Sequence, residues 1–206
     1  MTSVPTTSGT ARVAPLPADA MGETQDIADR VAAVGGYVPT SFRIMARKPA
    51  LLRAFAGLAA EVLRGEGEVP PATRWLVAHA VSSAAGCRYC QAHTAANGHK
   101  SGVPTDKVER FMNYDTDPAF TPAERAAIAL GFAAGQSPNE TTEAHFVELR
   151  RHFSDTAIVE IVAVISLFGW LNRWNDTMAS DLEPAPLAFA SDHLAARGWS
   201  AGKHLP

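Results

Sequence analysis

An all-α fold with no β-sheet is the architecture this sequence predicts, and three observations predict it. Apolar residues recur at helical spacing through nearly every segment after the first two dozen residues. The β-branched run Ile161-Val162-Ala163-Val164-Ile165 lies inside a segment too long for a strand. No two candidate strands are joined by a hairpin signal.

The elements follow in order. Residues 1–22 are rich in Thr, Ser, Pro and Ala, carry no aromatic residue, and are expected to form a mobile tail. Ile27, Val31 and Val34 then share a helical stripe, and Pro39 marks a loop. Pro49 suits the first position of a helix that carries Leu51, Leu52, Phe55, Leu58 and Val62, and Gly65 and Gly67 end it. Pro70 and Pro71 open the next helix, from Ala72 to about Ala85; it is apolar on most sides and therefore expected at the centre. Gly86 interrupts it. A further helix is expected from Arg88 to His99, and Pro104 starts a short one through Val108 and Phe111. In Thr121-Pro122-Ala123-Glu124 the hydroxyl can cap the backbone, Pro fits the first turn, and Glu can reach back. Phe146, Leu149 and Phe153 form one stripe. Ser154-Asp155 caps the strongest helix, Ala157 to about Met178, whose apolar run from Ile158 to Leu171 is expected to be buried almost all round. The chain thus divides into a tail (1–22), one helical domain (23–183) and a C-terminal extension (184–206) that carries one short helix around residues 191–197.

Composition narrows the function. The 206 residues suffice for one sizeable core, and 47% hydrophobic with 19% charged residues is ordinary for a globular protein. A net charge of −3 argues against a nucleic-acid surface or an anionic-membrane binder. No run approaches ~18 consecutive apolar residues, so no membrane span is expected. The N-terminal residues lack a signal peptide's apolar centre, and a cytoplasmic location is the expectation. The two cysteines stand three residues apart, which points to redox or metal chemistry rather than a disulfide scaffold.

The informative stretch is Gly86-Cys87-Arg88-Tyr89-Cys90-Gln91-Ala92-His93-Thr94. Two thiols at i and i+3 on a helix are close enough to form an intramolecular disulfide, and a nearby base or helix N-terminus activates one of them. His93 lies three residues after Cys90, on the same side of the helix, which assigns it to Cys90 as base or ion-pair partner. The helix dipole favours Cys87 instead. Proton removal needs an acceptor within reach, so the side-chain contact decides for Cys90. Structural zinc on Cys87, Cys90, His93 and His99 is weighed and set aside, because the spacing does not match a zinc finger's. The thioredoxin reading fails for want of a βαβ context.

This motif resembles the signature of the alkylhydroperoxidase D-like, carboxymuconolactone decarboxylase superfamily. The resemblance extends to the helix opened by Pro70-Pro71, to Phe120-Thr121-Pro122-Ala123-Glu124-Arg125, to Gly36-Tyr37-Val38-Pro39, to Arg47-Lys48-Pro49-Ala50-Leu51-Leu52, and to the helix end from Phe168 to Asp176. It implies an all-helical, oligomeric fold and a dithiol peroxidase. Cys90 would be the peroxidatic thiol, Cys87 the resolving thiol, and His93 a member of a proton relay. The implied partners are a hydroperoxide substrate and an external dithiol reductant, lipoyl- or thioredoxin-like, with no cofactor and no metal. The best-described peroxidases place the histidine four residues after the second cysteine, where Thr94 stands here. They also carry a glutamate twelve residues before the first cysteine, where this chain has Trp75. One turn further on, His79 is a candidate to inherit the relay, and Glu66 and Glu68 in the glycine-rich loop are others. Two other readings stay open: a lactone decarboxylase-like enzyme, which would not need two thiols, and a non-catalytic redox-responsive oligomer.

Trp170, Asn172, Arg173, Trp174, Asn175 and Asp176 end the longest helix, as a pocket or subunit contact meeting the cysteine helix or as a solvated end. His99, His145, His152, His193 and His204 show no partner pattern and are expected at the surface. The apolar surplus of residues 158–174 predicts a homo-oligomer.

Overall fold

The computed structural model describes residues 9–206. Ten α-helices, with short 3₁₀ turns between them, form the described residues, and no strand occurs among them. They are α1 (Gln25–Gly35), α2 (Thr40–Met45), α3 (Pro49–Arg64), α4 (Pro71–Ala84), α5 (Arg88–Lys100), α6 (Thr105–Glu109), α7 (Pro122–Gly135), α8 (Glu143–Leu149), α9 (Asp155–Met178) and α10 (Pro184–His193). Pro39 ends the loop after α1, and its fixed φ sets the residue before the first turn of α2, a helix too short to show a period.

The central position of α4 follows from its composition. Leu76, Val77, Ala78, Ala80 and Val81 are all buried, and α4 packs on α5, α7 and α9. Its approach to α7 is close because α7 offers glycines there. A Cβ at Gly131 would stand 2.9 Å from the Ala80 Cβ, and one at Gly135 2.8 Å from that of Ala84. Arg74 ties α4 to α9: its guanidinium lies 3.2 Å from Glu160 and donates to the carbonyls of Val69 and Gly65. The reciprocal cap at the start of α7 is present, Thr121 accepting from the Glu124 amide and Glu124 accepting from the Thr121 amide.

Three expectations need correction. Residues 9–22 are not a free tail: Thr10 bonds to Asp181 and Lys203, the Arg12 amide donates to Met178, and Met21 is buried. Residues 1–8 of the expected tail lie outside the described residues. The C-terminal extension is not an appendage either, since α10 packs along α5 and begins earlier than expected, at Pro184. α9 is not buried all round: Val159, Val162 and Trp170 are exposed in the single chain. By length and a mean hydropathy of 1.5 this helix would also pass for a membrane span, although it has no unbroken apolar run. Its other face packs on α3, α4, α5 and α7.

Candidate active site

The cysteine pair sits at a chain reversal. Gly86 follows α4 at φ +69, a conformation costly for any residue with a Cβ, and turns the chain so that Cys87 becomes the N-cap of α5. The Cys87 sulfur accepts from the Cys90 amide at 3.4 Å. Both cysteines are free thiols and both are buried. They differ in access. Cys90 lines a cavity of about 540 Å³, and Cys87 does not. The cavity wall is largely apolar, including Phe42, Phe55, Trp75, Phe168 and Leu171. Burial pushes the Cys90 thiol well above its ordinary value; its hydrogen bond to Cys87 and the charge of Cys87 push the same way, and the Asn175 amide opposes them. Asn175 approaches from α9, its Nδ2 3.5 Å from the Cys90 sulfur, while its Oδ1 accepts from Ser180.

His93 lines the same cavity as Cys90, but no hydrogen bond joins it to the sulfur. Its Nε2 stands 2.7 Å from Glu183 Oε2 and its Nδ1 3.2 Å from the Tyr37 hydroxyl. The Tyr89 ring stacks on it at 4.3 Å, and the Tyr89 hydroxyl donates to the other Glu183 oxygen at 3.0 Å. The backbone amide of Thr40 also donates to that oxygen. Burial alone would raise the Glu183 carboxyl. The His93 charge and hydrogen bond, with the Thr40 amide, outweigh it and hold the carboxyl below its usual value. The result is a largely buried carboxylate–imidazole pair, of which His93 lines the cavity.

His79 is elsewhere. Its Nδ1 bonds to Thr94 at 2.8 Å and its ring meets Phe111 edge-on at 4.6 Å. It lines a separate void of about 10 Å³ and not the cavity that Cys90 faces. Burial lowers its pKa to about 4. Trp75, standing where the resembling enzymes carry glutamate, forms cavity wall. The carboxylate reaches the histidine from Glu183 instead, the N-cap of α10. Sequence reading missed Glu183 and gave Tyr37 no role at the site. An acid just before Pro184 signals a helix start, and nothing local signals that it points inward across 90 residues.

His204 is a further correction, being buried rather than at the surface. His99 does not join the cysteines: its Nδ1 faces the Val103 carbonyl and its ring stacks on Phe189. Asn172 is buried, but its amide finds no partner, unlike that of Asn175.

The chain matches the carboxymuconolactone decarboxylase family over residues 49–133. It resembles the debrominase Bmp8 at 34% identity, over 86% of this chain and 95% of that one, with a TM-score of 0.80. It belongs to the alkylhydroperoxidase D-like, carboxymuconolactone decarboxylase superfamily. A variant of Bmp8 in complex with 2,3,4-tribromopyrrole superposes equally well, with a TM-score of 0.81 at 33% identity and the same coverage. An uncharacterized peroxidase-related protein of Ralstonia eutropha JMP134 shares 25% identity over 85% of this chain and 90% of its own, with a TM-score of 0.70. The uncharacterized protein YnjA of Escherichia coli (strain K12) is 26% identical over 115 residues, which are 56% of this chain. The match spans 63% of YnjA's own length. The superfamily's helical fold and its enzymes are thus the setting for the dithiol.

Proposed function

We propose that this protein is a dithiol oxidoreductase that reduces a bulky, apolar electrophile, in the first instance an organic hydroperoxide. One observation carries the reading: the cavity opens on Cys90 and not on the buried Cys87, and His93, paired to Glu183, lines the same cavity. The Cys90 sulfur attacks the outer peroxide oxygen, the O–O bond breaks, and the sulfur becomes a sulfenic acid. The proton that leaves the Cys90 thiol is carried by His93 to the departing alkoxide, giving the alcohol. The Cys87 sulfur then displaces the hydroxyl of the sulfenic acid, giving water and the Cys87–Cys90 disulfide. An external dithiol restores both thiols by exchange. Size argues for an organic substrate, because a water-sized molecule needs only about 30 Å³ and the cavity offers about 540 Å³ with aromatic walls.

Kinship with Bmp8 over most of both chains favours a second reading, reductive dehalogenation of a halogenated aromatic ring. The Cys90 sulfur would take the halogen as a sulfenyl halide, the ring carbon would take a proton, and Cys87 would expel halide to form the same disulfide. Turnover of cumene hydroperoxide and bromide release from 2,3,4-tribromopyrrole, each with a dithiol reductant, decide between them. Wild-type protein is expected to exceed Cys90→Ser clearly in one assay. Equal rates in both assays would sink the oxidoreductase reading.

The exposed Val159, Val162 and Trp170 face of α9 supports assembly into a homo-oligomer. Size-exclusion with light scattering is expected to give a multiple of 21.9 kDa.

A further inference from the structure

His204 is the unexplained group of this site. It is 1% exposed, and a buried polar ring needs a reason. Its Nδ1 lies 2.8 Å from the Ser180 carbonyl, which can only accept, so Nδ1 carries the proton. In the neutral ring Nε2 is therefore the bare lone pair, and it has no hydrogen-bond partner. That lone pair shares a cluster with the Cys87 sulfur and Asp176, their donor atoms all within 4.8 Å of one another. The groups around the ring are Cys87, Asp176 at 3.8 Å, Tyr89 with its ring centre at 5.8 Å, and Lys203, which pairs with Asp176 at 2.7 Å. Three donors fall short of a structural zinc set.

We propose that His204 is the base for the second half of the reaction, the attack by Cys87. This rests on the dithiol reading above, and it holds for either electrophile. As the Cys87 sulfur attacks the Cys90 sulfenic acid, the Cys87 S–H bond breaks, its proton passes to His204 Nε2, and the S–S bond forms. The proton then joins the departing hydroxide as water. No outside oxidant is needed, since the oxidising equivalent already sits on Cys90. Asp176 faces the imidazolium that forms and favours it. Resting separations at catalytic groups are often long and tighten as the reaction proceeds. Burial keeps the resting ring neutral, as a base must be. The two thiols would then have separate proton partners: His93–Glu183 for the step at Cys90, and His204–Asp176 for the step at Cys87.

The test uses a neutral aromatic disulfide, dithiodipyridine, which oxidises the pair without peroxide or halide and releases one thiopyridone at each step. Wild-type protein is expected to show two releases, and Cys87→Ser only the first. His204→Gln should keep the first rate and slow the second by about 10²-fold. The wild-type second rate should be flat between about pH 7 and pH 8, while the variant's should rise roughly tenfold per pH unit as the thiol must titrate to solvent. An unchanged second rate in His204→Gln overturns the proposal. If the variant does not fold, a wild-type second rate that climbs tenfold per unit overturns it equally. Failure of both turnover assays above, with a slowed second release here, would refute the substrate reading and leave this role of His204 standing.

Discussion

Neighbouring residues of α5, His93 and Thr94, look into two different chambers. His93 faces a wide apolar cavity and is ion-paired to Glu183. Thr94 faces a void of about 10 Å³ that His79 also lines, with Leu76, Val108 and Phe111. Each chamber is lined by a histidine, part-buried His93 on the dithiol helix and buried His79 on α4. Only one has a carboxylate partner, and only that one has access to the space Cys90 opens onto. The contrast shows what makes a buried imidazole useful. Without a counter-charge, burial drives the ring to its neutral form and leaves it as packing. With one, as at His93, the ring has a charged partner fixed beside it at the cavity wall.

The sharpest way to break this contrast is at His93 itself. His93→Gln is expected to slow Cys90 oxidation by about 10²-fold, as loss of a general acid does, measured by single-turnover quenching with sulfenic-acid trapping. A rate equal to wild type would leave the cavity without its proton donor. Glu183→Gln comes next and touches stability as well as rate. It removes one partner of a largely buried pair, so the fold should lose about 3 kcal/mol near neutral pH. The carboxyl is held below its usual value in the fold, so its contribution is present above the unfolded carboxylate's range and disappears as pH falls through the lowered value. Urea unfolding of wild type and variant should therefore differ at neutral pH and converge in acid. The smallest effect on rate belongs to His79→Phe, expected to leave Cys90 oxidation within about twofold. Its signature is in acid. A folded pKa of about 4 against 6.5 for a free histidine means wild-type stability is full above 6.5 and falls below it. The loss reaches roughly 3 kcal/mol by pH 4, and His79→Phe should lack that part of the decline.

The histidines also mark the limits of reading the chain alone. The helices were legible wherever punctuation and period agreed: Pro71, Thr121-Pro122 and Ser154 start helices where the sequence places them. The shared side of Cys90 and His93 was legible too, because helical spacing is local. What was not legible is everything set by distant packing. Spacing paired His93 with the sulfur, yet Glu183 and Tyr37 claim both ring nitrogens. His79 lies one turn from Trp75 along α4, but one turn is enough to leave the cavity wall. His204 has no pattern around it, and only the return of the C-terminal segment onto Ser180 buries it.

That return has a consequence for how the protein matures. The packing of α4 against α5 joins neighbouring helices, contacts that close short loops and form early. The bonds that complete the reactive centre span 56 residues from Tyr37 to His93 and 90 from His93 to Glu183. Contacts of that span cost more chain entropy to close than neighbours in sequence do, so the centre depends on distant segments being in place together. Release of the segment that follows α9 would take away Glu183 and His204 together and leave the core helices standing, an inactive but still folded protein.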